Sequence, residues 1–303
     1  MTKDLYIFDV SPFIHAGAIN RYAKLEKLVD MGTTWKTMVT PCGGVSLIFN
    51  TLYSILGRGD IVFCCDRNPT IKKEMIPGYK GNRDHKRNIE VEKGVAEYIL
   101  EHCNATVLAR AGYEADDIIY SLVRKNHDVY DNIYIYTGDS DLYFLVDDRV
   151  TIKPSSSRAK EVTRYNYEQV LSKYNIKYNM MTMTKIICGD TSDCIPGIPK
   201  EARNAVATLF YSDEMRPYLG DRDFVYNWMK YKFPEYADQV LNVFPLDVDD
   251  LPTDFKQIDK ESVIDWGSAI NNKYFRGMGS KSFPIEEHIE ELHKLGMYLE
   301  DTN

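Results

Sequence analysis

Residues 132–141 read NIYIYTGDSD, a short run rich in isoleucine and tyrosine that stops on Thr-Gly and two aspartates, Asp139 and Asp141. The same form occurs twice earlier. LYIFDV at residues 5–10 carries Asp9, and DIVFCCD at residues 60–66 ends on Asp66. Short, nearly continuous apolar runs of branched and aromatic residues are what strands buried on both faces require, and such strands belong to parallel sheets. Helical spacing separates them: GGVSLIFNTLYSIL at 43–56, EVEKGVAEYILEHC at 90–103, EADDIIYSLVRKN at 114–126 and NYEQVLSKYN at 166–175. VTIKPSSSR at 150–158 reads as an edge strand and a polar turn. Strand alternating with helix predicts an α/β fold with a mostly parallel central sheet flanked by helices.

Past residue 185 the strand signals fade. EARNAVATLFYS, DRDFVYNWMKYKF and PIEEHIEELHKLGMYL read as helices broken by Pro- and Gly-containing loops. We therefore expect a core over residues 1–185 and a helical region over 186–303. The chain has 303 residues, 44% hydrophobic and 27% charged, ordinary values for a globular protein with a sizeable core. No apolar stretch approaches the ~18 residues of a membrane span, and the N-terminus lacks a signal-peptide pattern. The expectation is a soluble, cytoplasmic protein with no membrane partner. Six cysteines form no zinc-type pairing, and Cys64 and Cys65 in an apolar run read as buried thiols.

Ligands of an open parallel sheet bind beyond the carboxyl ends of its strands. Asp9, Asp66, Asp139 and Asp141 all fall there, and GYEADD adds Glu114, Asp116 and Asp117 at a helix start. GDTSDCIPGI adds Asp190 and Asp193. Each motif alone could be a helix cap, a turn or a complement to a helix dipole. Nine carboxylates converging on one pocket would not stay ionised unaided, since a pair ~4 Å apart repels by roughly 4 kcal/mol at an effective dielectric of 20. All-oxygen donors select hard divalent ions, Mg²⁺ or Mn²⁺, and two such ions suit phosphodiester hydrolysis.

Taken in order, IFDVS, VFCCD, YKGNRD, GYEADD, TGDSDLYFL and GDTSDCIPGI resemble the 5′-nuclease family over roughly residues 4–210. That family comprises flap endonucleases, the 5′–3′ exonuclease domains of bacterial DNA polymerase I and phage-encoded 5′-nucleases. The size of the chain is most similar to the stand-alone phage enzymes with ribonuclease H activity, which would place it in the host cytoplasm. The resemblance implies a PIN-like core and a helix–turn–helix-type duplex-binding motif in the C-terminal region. It assigns Asp9, Asp66, Glu114, Asp116, Asp117, Asp139 and Asp141 to the surroundings of a first Mg²⁺ and Asp190 and Asp193 to a second, with Mn²⁺ as a substitute.

The net charge is −8, yet residues 67–87 hold seven cations against two anions. Such a segment is either a solvated helix-loop or a positive wall that draws a phosphate backbone. The resemblance makes residues 67–94 a basic arch over the site, with Lys80 and Arg83 on the scissile phosphate, Tyr79 stacked on an unpaired base, and Lys72, Lys73 and Arg87 contacting nucleic acid. Beyond Asp193 the family's Gly-rich hairpin is shortened, and Pro199 has no N–H to offer a phosphate. This counts against a monovalent-ion site and leaves Lys200 and Arg203 as side-chain contacts. The expected activity is Mg²⁺-dependent hydrolysis at 5′ ends, flaps or RNA primers during replication. The expected partners are branched or 5′-ended duplex DNA and RNA:DNA hybrid, with the C-terminal helices as a meeting point for a sliding clamp or single-strand-binding protein, and the protein a monomer. Two alternatives stay open: a PIN-type ribonuclease and a non-catalytic DNA-junction binder.

Overall fold

The computed structural model describes residues 3–17, 23–30, 35–82, 87–155, 161, 163, 180–210, 212, 214–215, 218–295 and 298–299. The three runs singled out above form β1 (Asp4–Asp9), β4 (Asp60–Cys64) and β6 (Asn132–Thr137). Between them in the chain lie α1 (Val10–Gly17), the strands β2 (Lys24–Asp30) and β3 (Trp35–Pro41), α2 (Gly43–Ile55), α3 (Thr70–Met75), α4 (Arg87–His102), β5 (Thr106–Leu108) and α5 (Ala115–Asn126). β7 (Val150–Pro154) completes a sheet of order β5-β4-β1-β6-β7, parallel throughout, with β7 at the edge. The helix expected over 166–175 lies outside the described residues.

Alternation along the strands divides the core into two layers. Leu5, Ile7, Val62, Cys64, Ile133 and Ile135 face Ile118, Ile119 and Leu122 of α5. Tyr6, Phe8, Ile61 and Phe63 face the opposite way, onto α1, α2 and α4. Phe8, Phe13, Phe49 and Phe63 are almost wholly buried, and each stabilises the fold by about 2–3 kcal/mol. α1 and α2 cross backbone to backbone, because a Cβ on Gly17 would lie 2.2 Å from the Gly44 nitrogen. That contact fixes the helix that leaves β1 directly after Asp9.

The remaining elements are α6 (Met180–Cys188), the two-residue strands β8 (Gly189–Asp190) and β9 (Ile195–Pro196), α7 (Lys200–Phe210), α8 (Arg222–Lys232), α9 (Asp238–Val243), α10 (Lys260–Ala269), α11 (Ile285–Lys294) and β10 (Tyr298–Leu299). α6 to α9 build a third cluster around Met183, Phe210, Met229 and Phe244 that reaches the core at Tyr120 and Phe144. The chain beyond it returns to both sheet faces: Val248 and Leu251 join the α5 layer, and Trp266 and Ile270 of the α10 segment join the other. The hairpin of β2 and β3, extended by β10, is a separate antiparallel sheet that the sequence reading passed over.

One buried polar side chain locks the C-terminal region to the core. Asn272, with no exposed surface, donates to Ser46 O at 2.8 Å and Ser46 Oγ at 2.9 Å on α2, and accepts from the Tyr274 N–H at 3.0 Å. Asn272→Ala strands these groups away from water, and the expected cost is about 2–3 kcal/mol of unfolding free energy. Urea denaturation followed by circular dichroism measures it.

Candidate metal centre and nucleic-acid interface

The acidic side chains lie along the carboxyl edge of the sheet, as parallel topology requires. Asp9 ends β1, buried, and accepts a hydrogen bond from Thr137 Oγ1 at 2.8 Å. Asp66, two residues past β4, accepts from the Ser11 hydroxyl and from the Ala115 N–H at 2.9 Å, so the strand end is tied to the first turn of α5. Asp139 caps the 3₁₀ turn over Ser140–Leu145 by accepting from the Asp141 N–H at 2.8 Å. The second pair is brought in by the β8–β9 ladder. Gly189 and Gly197 approach so closely there that a Cβ on Gly189 would sit 2.5 Å from the Gly197 nitrogen. Carboxylate oxygens of Asp141, Asp190 and Asp193 lie within 4.8 Å of one another.

Among the described residues, four ammonium groups stand within 4 Å of these carboxylates. Lys72 is buried and pairs with Asp117 at 2.8 Å and Glu114 at 3.0 Å. Lys80 pairs with Glu114 at 2.5 Å and stands 3.7 Å from Asp193. Lys185 bridges Asp141 at 2.5 Å and Asp190 at 2.6 Å, and Lys93 stands 3.7 Å from Asp66. Burial pushes the Asp9 carboxyl well up, with the charge of Asp66 adding to it. Burial and the charges of Asp139 and Asp9 do the same to Asp116. Burial and Asp139 raise Asp141 too, against the pull of Lys185. Two groups go the other way although burial opposes it: Lys72, Lys80 and the Tyr79 hydroxyl hold Glu114 down at about 2, and Lys185 with Ser192 holds Asp190 at about 2. A purely carboxylate donor set with negative charge unrelieved at Asp9 and Asp116, and only partly offset by Lys185 at Asp141, fits a hard divalent cation.

Opposite pH dependences follow. Glu114 and Asp190, depressed in the fold, contribute stability that is complete above the ordinary carboxylate range and is lost as pH falls towards about 2. Asp9 and Asp116, raised in the fold, carry a penalty at neutral pH that is relieved as pH falls through their folded pKa. In chelator, the melting temperature is therefore expected to rise as pH drops from about 7 towards about 5 and to fall below about 4. With Mg²⁺ present the rise on mild acidification should vanish; melts across this range with and without the ion check it.

Several residues stand elsewhere than the sequence placed them. Lys72, expected on an exposed positive wall, is an internal counterion, held charged by Asp117 and Glu114 in spite of its burial. Tyr79, expected to stack on a base, is 4% exposed, donates its hydroxyl to Glu114 at 2.6 Å, and packs with Ile76 and Ile195. The start of the basic segment is thus folded into the acidic site instead of standing free above it. Asp117, fully buried, accepts from the Glu114 N–H at 3.0 Å and the Leu246 N–H at 2.7 Å, so both its oxygens serve the fold. Lys73 is exposed and bonds Asn68 at 2.6 Å. Arg203 donates Nε to Ile198 O at 3.0 Å, and Lys200 is exposed at the start of α7. Arg87 is the first residue of α4, and Arg83 lies outside the described residues.

Lys185 and Lys93 are site residues that sequence reasoning missed; for Lys185, its place one helical turn before Gly189-Asp190 was the available signal. The turn after Tyr79 is held from behind. Lys80 adopts a left-handed φ of 52°, its N–H donates to Asp193 O at 3.0 Å, and Asn82 donates to Thr191 O at 3.3 Å. A cleft of about 670 Å³ opens on the other side of Lys80 and Glu114, between the α3 and α4 segments, lined by Arg67, Lys73 and Lys93. Asp66, Glu90, Glu97 and Glu114 line it too, with Arg67 paired to Glu97 at 2.6 Å and Lys93 to Glu90 at 3.3 Å, so the approach carries both signs of charge.

The fold is shared with known proteins. Over 97% of its length the chain superposes on the bacteriophage T5 D15 flap endonuclease in a pseudo-enzyme-product complex with DNA and metal ions, with a TM-score of 0.55 and 14% identity, covering 99% of that protein. The zinc-bound T5 5′-exonuclease gives a TM-score of 0.53 at 16% identity, over 97% of this chain and 99% of that one. At these identities the likeness concerns the fold, and it extends through the C-terminal helices. DNA polymerase I of Bacillus subtilis is 30% identical over 177 residues, 57% of this chain and 20% of that protein. The Mycobacterium leprae polymerase is 32% identical over 131 residues, 43% of this chain and 14% of that protein. The chain thus spans a fifth or less of these polymerases. Residues 17–175, just over half of the chain, match the family described as the 5′-3′ exonuclease, N-terminal resolvase-like domain, and the chain belongs to that family.

Proposed function

We propose that the chain is a divalent-metal-dependent 5′-nuclease acting on 5′-ended or branched duplexes, flaps and RNA primers included. The observation that carries this reading is the meeting of Asp141, Asp190 and Asp193 within 4.8 Å, beside the buried Asp9 and the half-buried Asp116. Mg²⁺ is the expected occupant, held as two ions with Asp9, Asp66, Asp116, Asp139 and Asp141 on one side and Asp190 and Asp193 on the other. When bound, the ions supply activated water and neutralise the developing charge of the phosphoryl group. This chain's own part is to place the scissile phosphate. Lys80 exchanges Glu114 for a phosphate oxygen at the mouth of the cleft, where its charge counts most in the transition state. Lys185 holds Asp141 and Asp190 in position until cations arrive. The duplex lies along the helical region beyond residue 186, with Lys200 exposed towards its backbone.

A labelled 5′-flap duplex and a labelled RNA:DNA hybrid, each with Mg²⁺, with Mn²⁺ and with chelator, test the proposal. Cutting from the 5′ side that needs the ion is expected. Cutting unaffected by chelator would remove the metal from the reading, and tight binding without cutting in either metal would favour a junction-binding protein.

A further inference from the structure

The loop after α10 has no part in the site above, yet it is among the most firmly held loops of the molecule. Asn272 anchors it to α2, and Phe275, 3% exposed, packs edge-on against Phe49 and Tyr53. The Gly277 N–H donates to Ser268 Oγ at 3.2 Å and the Ser280 N–H to Asp265 at 2.5 Å. What this scaffold presents outward is aromatic and cationic. Tyr274 stacks flat on Tyr53 of α2, with centroids 4.7 Å apart and planes 6° apart, although the two rings are 38% and 54% exposed. Lys273 lies 4.6 Å from the Tyr274 ring, Met278 is 62% exposed, and Arg276 is exposed beside them. Neither Lys273 nor Arg276 has a carboxylate partner among the described residues, in a chain whose net charge is −8.

The patch is on the wrong edge of the sheet to touch the substrate. α2 runs back against the strands, so Tyr53 near its end approaches the start of β4, where Asp60 pairs with Leu5. Asp9 pairs with Cys64 at the opposite end, about 13 Å further along the strands at ~3.3 Å per residue. Rigid exposed aromatics flanked by unpaired cations have the composition of a protein-binding hot spot, and the ordering cost of docking is already met by the anchored loop.

We infer that the end of α2 and the 272–278 loop form a docking surface for an extended acidic segment of a partner protein, with an apolar side chain seated against the Tyr53–Tyr274 stack. Charge complementarity selects an acidic partner, and the location separates it from the nucleic acid. The probe is a fluorescein-labelled aspartate-rich peptide with a central Phe-Phe pair, titrated with the full chain in chelator and low salt and followed by anisotropy. Saturable binding is expected, absent for a lysine-rich peptide with the same Phe-Phe pair. Lys273→Glu with Arg276→Glu should weaken it by about tenfold or more, and Tyr274→Ala by a similar factor, while Mg²⁺-dependent cutting of a flap stays unchanged. The inference is overturned if the peptide does not bind, if the charge reversal leaves binding unaltered, or if oligo-dT displaces the peptide at equal concentration. Slower cutting by the charge-reversed protein would also overturn it, by assigning the patch to the substrate's path. Binding is read in chelator, so its failure is distinct from any failure of the nuclease reading.

Discussion

Asp116→Asn should abolish cutting and, in chelator, stabilise the protein. Asp116 stands at the first turn of α5 among Asp139, Asp9 and Glu114, and burial together with those charges pushes its carboxyl well up. An amide of the same shape removes the repulsion and keeps the packing. Relief of active-site charge strain of this kind stabilises by about 1–2 kcal/mol. Under the proposed metal-dependent reading, the loss of this carboxylate should lower the cutting rate by about a thousandfold or more, since electrostatic and metal terms carry most of the barrier reduction. The thermal shift produced by Mg²⁺ should shrink in the same variant. Melts in chelator and in Mg²⁺, beside single-turnover cutting of a 5′ flap, give all three readouts. A variant that cuts normally, or is less stable in chelator, would contradict the assignment.

Lys72→Met should act in the opposite direction. Its ammonium is the shared counterion of Glu114 and Asp117, both buried, and the methionine would fill the space while leaving Asp117 without a counterion and Glu114 with Lys80 alone. Removing one member of a buried charge cluster costs about 3–5 kcal/mol, a large part of the 5–15 kcal/mol typical of a domain. The urea midpoint should fall accordingly. Adding Asp117→Asn should recover part of the loss, because the orphaned Asp117 charge, not the missing methylene contacts, is the cause. If the double variant is no more stable than the single one, packing and not electrostatics governs the site.

Lys72 and Lys80 show where sequence reading stops. The strand runs at Asp4–Asp9, Asp60–Cys64 and Asn132–Thr137 were legible because burial on both faces leaves an unbroken apolar signature. The positions of Asp9, Asp66 and Asp139 at the carboxyl edge were legible as well, since parallel topology delivers strand ends there, whereas Asp190 and Asp193 arrive on the antiparallel β8–β9 ladder. A buried lysine carries no such signature. Lys72 and Lys80 sit in a stretch that reads as a solvated basic face, and their carboxylate partners lie far along the chain, Glu114 being 42 and 34 residues away. The β2–β3 hairpin was missed because KLEKLVD and WKTMVTP mix charges with apolar residues and fit neither periodicity well. α10 was missed although Asp259 caps it by accepting from the Glu261 N–H at 3.0 Å, a short local signal without a strong apolar stripe.

The tie between the Tyr79–Lys80 turn and the loop of Asp193 also bears on how the chain reaches its native state. Tyr79 and Asp193 are 114 residues apart in sequence, and Asp9 and Thr137 are 128 apart. Closing such long loops is entropically expensive, and it joins groups of like charge. Nothing rewards that closure until the sheet has fixed the strand ends. The centre is thus expected to form late in folding, after the main barrier. Changes within it express themselves in how fast the native molecule opens and leave the rate of its formation nearly untouched.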